Sequence, residues 1–340
     1  MKNKLLLTTA IAGSLLASGV AMAETKITGS MDISYAGRSS DANAGRASSD
    51  GFGSETQLNI SNSGDLNNGM SYKAGFSMES DTTTDAFENA YIDINLASGT
   101  TLSIGSDHFP ALDGTITPLV SLALDTASGG ATGAGDQTIT GLAYYNGSRI
   151  DAVESQGIGI IQKLGDIGSA RIYYADRVGN TGSTSGNDAI GGAETNNSAI
   201  HYAFAGNLGV EGLNVLIGQE KSDGATSVVQ DRKGTNYGAA YNFGQFAVGA
   251  SKVKNELSTG VEVKSKEAGI TFAASDNLSL GIAYASSDIS NQTRDEDITM
   301  ATVGYNLGAI STSVTYSQVE NTAGGRNDDD FFNVRIGTKF

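Results

Sequence analysis

The chain has 340 residues, a formal net charge of −16, 45 glycines, two prolines and no cysteine. So acidic a balance argues against nucleic acid as a partner, and a secreted chain of this size without cysteines must stand on its own hydrogen-bond ladder and packing. The abundance of Gly, Ser, Asn and Thr fits a turn-rich all-β protein better than a helical one.

The N-terminus reads as a secretory leader. Lys2 and Lys4 precede an uncharged, apolar or small stretch, Leu5–Val20, and Ala21-Met22-Ala23 has the form of a cleavage site. Residues 1–23 are expected to be a signal peptide cleaved after Ala23. A membrane-anchoring helix is the alternative, but this stretch is short and rich in Ala, Ser, Thr and Gly. No other segment nears the roughly 18–20 apolar residues of a spanning helix. Residues 24–340 therefore either stay soluble or enter a membrane as strands.

Along the mature chain apolar and polar residues alternate with a period of two. Ile27, Met31, Ile33 and Tyr35 share one face, and so do Met70, Tyr72, Ala74, Phe76 and Met78. The pattern returns at Ile200, Tyr202 and Phe204, at Leu213, Val215 and Ile217, and at Phe246, Val248 and Ala250. It continues through Leu278, Leu280, Ile282 and Tyr284 and closes with Phe332, Val334, Ile336 and Phe340. Tight turns at 66–69, 97–99, 165–168, 242–244 and 306–308 interleave with longer polar connections at 36–53, 80–86, 178–195, 222–232, 255–260, 286–295 and 321–329. Tyr241-Asn242-Phe243-Gly244 and Tyr305-Asn306-Leu307-Gly308 are the clearest copies of a repeated hairpin.

An apolar face of this kind packs inward in a soluble sandwich and faces lipid in an outer-membrane barrel. Polar faces filled with Gly, Ser, Asn and charges, strands of about ten residues, and Tyr and Phe near strand ends favour the barrel. Both prolines, Pro110 and Pro118, fall in one segment, as expected where nearly everything else is paired ladder. Parity sets the count. Reading both 138–145 and 149–163 as strands gives an odd number and puts a long connection on the short-turn rim. Assigning 149–163 to the wall and 138–145 to the preceding loop gives sixteen strands, an even number as single-chain bacterial barrels have. Residues 107–147 then form by far the longest connection, and loops of that length are usually functional.

The sequence resembles the trimeric general porins of Gram-negative bacteria at Lys26–Tyr35, at Ala90–Ile94 followed by Gly99–Gly105, and at Arg335–Phe340. That resemblance implies a homotrimer of sixteen-stranded antiparallel transmembrane barrels whose third long loop folds inward. It also implies that the terminal Phe340 is an assembly signal read by the barrel-assembly machinery. Ser106 stands where the family often has Arg, and the Pro-Glu-Phe-Gly stretch of enterobacterial constriction loops is absent.

On this reading the inward loop offers Asp107, Asp113, Asp125 and Asp136. Alternation places Lys26, Lys73 and Arg335 on the lumen side, with Arg149 and Arg171 read the same way. Facing acids and bases across a narrow water column orient dipolar solutes; the alternative is that the aspartates only solvate an exposed loop. The expected function is passive diffusion of small hydrophilic solutes and ions with a weak cation preference. The expected surroundings are outer-membrane lipid and lipopolysaccharide. Rival readings are a substrate-selective channel and a non-conducting structural or adhesive surface protein. No enzyme, cofactor or metal site is expected: His108 and His201 are far apart, and neither carries nucleophile-elbow or metal-ligand spacing.

Overall fold

The computed structural model describes residues 23–40, 49–80, 88–106, 156–176, 198–223, 232–257, 260–321 and 328–340. Sixteen strands run in chain order as β1 (Glu24–Ser40), β2 (Ser49–Asp65), β3 (Ser71–Ser80), β4 (Glu88–Asn95), β5 (Thr100–Ser106), β6 (Gln156–Lys163), β7 (Ser169–Asp176) and β8 (Ser198–Gly206). They continue as β9 (Leu213–Asp223), β10 (Arg232–Phe243), β11 (Phe246–Leu257), β12 (Glu262–Ala273), β13 (Leu278–Ile289), β14 (Glu296–Leu307), β15 (Ile310–Glu320) and β16 (Asp329–Lys339). Each strand pairs antiparallel with its sequence neighbours, and β1 pairs with β16 to close the sheet into a barrel. Closure leaves no strand edge unpaired, the condition for crossing a bilayer with strands.

One rim carries the short connections: 66–70, 96–99, 164–168, 207–212, 244–245, 274–277 and 308–309. Two of them, after β10 and β14, are two-residue turns whose first residue is a left-handed glycine, Gly244 (φ 59°) and Gly308 (φ 69°). These are the two copies of the hairpin repeat. The other rim carries the remaining connections, the longest among them, and β1 begins and β16 ends on the short-turn rim. In outer-membrane barrels the short turns are periplasmic and the long loops extracellular.

Several strands run further than alternation indicates. β1 and β2 each have 17 residues and pair as far as Arg38–Ser49, taking in 36–38 and 49–53 of the span read as a loop at 36–53. Above the lipid both faces of a strand are wet, so the ladder goes on after the apolar signal has stopped. β6 begins at Gln156, within the expected 149–163. The expected leader before Ala23, the expected loop 107–147 with Asp107, Asp113, Asp125 and Asp136, and Arg149 lie outside the described residues.

Among the described residues the wall itself is the structure, with few large apolar side chains buried. Large apolar side chains stand exposed on the outer face, among them Ile27, Ile33, Ile217, Ile282, Val314 and Ile336. On a soluble protein so broad an apolar surface would aggregate, whereas in a membrane it is the lipid contact. Its lower edge is an aromatic run, Tyr241–Phe243–Phe246–Phe272, with ring centroids 5.9, 5.7 and 4.8 Å apart. Its upper edge is marked by Tyr35, Tyr284 and Tyr316, whose hydroxyls donate to Asp50, Asp297 and Asp330. A tyrosine at a membrane interface keeps its ring in lipid and its hydroxyl in a polar layer in this way.

Candidate functional site: the inner wall

Register decides which side chains line the lumen. From Ser34 on β1, opposite Arg335, the inner face passes through Arg38, Asn333, Thr315, Thr302, Ser287 and Ser265. Cross-strand hydroxyl pairs tie it together: Thr302–Thr315 at 3.0 Å and Ser265–Ser287 at 2.8 Å. Sixteen strands enclose a space too wide for wall side chains to fill, so water occupies it.

Lys26, Lys73, Arg171 and Arg335 all stand on this inner face. Lys26, Lys73 and Arg171 lie within three residues of the short-turn ends of β1, β3 and β7. The Lys73 ammonium sits 5.6 Å from the Tyr91 ring centroid. Arg171, half-buried, donates to Ser169 at 3.3 Å. Arg335 pairs with Asp32 at 3.0 Å, both partly exposed. Lys163, not singled out from the sequence, joins them at the end of β6, and Glu24, Asp65 and Lys339 share this end of the inner face.

Nearer the long-loop rim the inner wall carries groups that alternation alone does not gather. Arg38 and Asp329 form an ion pair at 3.0 Å with Asp329 fully buried, and the guanidinium lies 5.6 Å from the Phe331 ring. His201 Nε2 lies 3.2 Å from Glu220 Oε2, with Tyr173 edge-on at 6.0 Å; all three are buried. Glu267 accepts from Ser251, and Glu296 is buried at the head of β14. These partners stand on neighbouring strands, 291 positions apart for Arg38 and Asp329 and 16 for Ser251 and Glu267, so only the register brings them together. The inner face is also less uniformly polar than its Gly, Ser and Asn content implies. Ile298, Met300, Val319 and Phe331 are buried there on β14, β15 and β16. In β14 the apolar residues switch faces part-way along: Val303 and Tyr305 point out, Ile298 and Met300 in.

A family model described as Gram-negative porin matches residues 8–324. The chain belongs to the Gram-negative porin family. Porins of this kind are outer-membrane channels through which small hydrophilic solutes diffuse passively, and the closed barrel with its wet inner wall is the body of such a channel. Among solved structures this porin is similar to the anion-selective porin from Comamonas acidovorans, with 16% identity, a TM-score of 0.67 and coverage of 94% of this chain and 100% of that one. It is similar to OprB of Pseudomonas putida, at 9% identity and a TM-score of 0.66, covering 93% of this chain and 94% of that one. Salmonella typhi OmpF in complex with daunomycin gives 13% identity and a TM-score of 0.63, covering 93% and 97%. No curated protein sequence matches the chain. Identities this low speak for the fold and leave selectivity to the residues of this wall.

Proposed function

We propose that this porin passes small hydrophilic solutes and ions with a weak preference for cations. Asp107, Asp113, Asp125 and Asp136 of the 107–147 loop would act against Lys26, Lys73, Arg149, Arg171 and Arg335 of the wall. The observation that carries this reading is the near balance of the described inner wall. Arg335 is neutralised by Asp32 and Arg38 by Asp329, while Lys26, Lys73, Lys163, Arg171 and Lys339 are offset by Glu24, Asp65, Asp93, Glu220, Glu267 and Glu296. A wall so balanced lets a loop with four acids and no base between 107 and 147 decide the sign, because charges in a narrow pore are screened less than those on open surface. The Comamonas acidovorans protein is described as anion-selective, so the fold does not fix the sign. The test is the zero-current potential in a salt gradient. Asp113→Asn with Asp125→Asn should move it toward anion permeability, less so at high salt. An anion-selective wild type, or an unmoved potential, contradicts the assignment.

The same reading takes the chain to be exported by its N-terminal signal, cleaved after Ala23, and delivered to the outer membrane by the barrel-assembly machinery. There its outer wall meets lipid and lipopolysaccharide. Phe340 suits an assembly signal because it closes the seam. Its amide donates to the Gly29 carbonyl at 2.9 Å, its carbonyl accepts from the Gly29 amide at 2.7 Å, and its ring covers Gly29 on the outer face. Deleting Phe340 should lower the amount of inserted protein at every expression level; unchanged insertion contradicts the role. We also infer a homotrimer, a form in which OmpT of Vibrio cholerae, a similar structure, is described. Cross-linking in native membranes that yields only monomers would contradict it.

A further inference from the structure

The outer wall of β9–β12 carries an unusual concentration of positive charge. In a chain of net charge −16 with 21 lysines and arginines, six lysines, Lys221, Lys233, Lys252, Lys254, Lys264 and Lys266, point outward from four consecutive strands. Their facing follows from register. Lys252 lies opposite Lys266 and Lys254 opposite Lys264, two and four residues further along the wall from the outward Ala250–Ala268 pair. Lys233 lies opposite both Lys221 and Glu256.

Height on the wall matters as much as sign. Lys252 is the cross-strand partner of the outward Tyr237, and Lys266 lies two residues above Ala268, the partner of the outward Tyr284. The lysines therefore begin at the upper tyrosine level and continue toward the long-loop rim. Below them the face is apolar: Val248, Ala250, Ala268 and Ile270. This is the headgroup depth of the outer leaflet.

Like charges directly opposite each other on a sheet destabilise it. At the higher pair the chain supplies its own compensation. Lys254 bridges Glu256 at 2.6 Å and Glu262 at 2.5 Å, and Lys264 also pairs with Glu262. Lys252 and Lys266 are exposed and make no ion pair among the described residues. Two cations side by side at headgroup depth, with no acid of their own, match a divalent anion held in the membrane surface. In the outer leaflet of a Gram-negative bacterium that anion is the phosphate of lipopolysaccharide's lipid A. We propose that Lys252 and Lys266, flanked by the Lys254–Glu262–Lys264 cluster, form a docking site for a lipid A phosphate. The acyl chains would lie on the apolar strip below. The proposal rests on the outer-membrane reading and adds the place of contact.

Native mass spectrometry of the purified full-length protein, titrated in detergent with bisphosphorylated or fully dephosphorylated lipid A, tests it. The wild type should retain the phosphorylated lipid and not the dephosphorylated one. Lys252→Gln/Lys266→Gln should weaken retention roughly 10- to 30-fold, as expected for neutralising two cations near an anionic surface. Lys252→Arg/Lys266→Arg, which keeps the charge should the Gln variant fold poorly, should bind like wild type. Inorganic phosphate at equal concentration should not displace the lipid. Equal retention of the dephosphorylated lipid, undiminished binding by the Gln variant, loss of binding in the Arg variant, or displacement by inorganic phosphate would each overturn it. Single-channel conductance on the same preparations separates the two readings. It should be unchanged by the Gln substitutions, and loss of lipid binding in a protein that conducts refutes the site alone.

Discussion

The two faces of one wall obey different rules. On the outer face a side chain meets lipid whatever its neighbours are, so Ile27, Ile217 and Ile282 stand 62%, 54% and 61% exposed and are stable there. On the inner face it meets water, another strand or a buried partner, so its energy depends on what the register sets beside it. The outer face is specified residue by residue, and the inner face pair by pair.

The sharpest test of that contrast is the buried inner pair. Arg38→Ala leaves Asp329 fully buried without its guanidinium and should cost about 3–5 kcal/mol. The measurement is the urea midpoint of folding into lipid vesicles. Arg38→Leu/Asp329→Leu, which removes both charges, should recover most of the loss; no recovery would mean that the pair does not act as a unit. Next in size is a charge placed on the outer face. Ile282→Arg should cost about 2–4 kcal/mol in the same assay, the range for a cation near the bilayer midplane. Asn214→Arg, on the exposed inner face opposite Ala240, should stay within about 0.5 kcal/mol of wild type. Equal costs at the two sites would break the distinction between lipid and lumen.

Smaller effects refine it. Tyr316→Phe removes the hydroxyl that donates to Asp330 at 2.7 Å at the upper edge of the apolar band, and should cost about 1 kcal/mol. Asp32→Asn removes the carboxylate that pairs with Arg335 on the inner wall. The pair is partly exposed, so stability should fall by no more than about 1 kcal/mol. The zero-current potential should nevertheless move toward anion permeability, because the inner wall has lost one acid. A large stability loss with an unmoved potential would mean that the pair is structural.

Legibility in the sequence follows the same division. The barrel, its strand number and its rims follow from alternation and parity because lipid imposes a period of two that no register can hide. The signal fades where the wall leaves the lipid. Residues 36–53 read as loop although Tyr35 faces Phe52 and Arg38 faces Ser49 across a continuous ladder. Lys26, Lys73, Arg171 and Arg335 stand on the inner face because alternation reaches them. Arg38–Asp329 and His201–Glu220 were not legible, since nothing local marks one residue as the partner of another on the next strand. The inward Ile298 and Met300 break the polar-inside rule that alternation assumes. The outward lysines of β11 and β12 sit above the apolar band on either side of the connection read at 255–260, and only the register sets Lys252 beside Lys266.

The central claim is that the closed barrel encloses a continuous water path. Single-channel recording of the purified protein in a planar lipid bilayer tests it most directly. The account predicts discrete conductance steps that grow in near proportion to bulk salt, as ions crossing a wide aqueous lumen require. A correctly inserted protein that gives no steps, or steps that saturate at low salt, would contradict it.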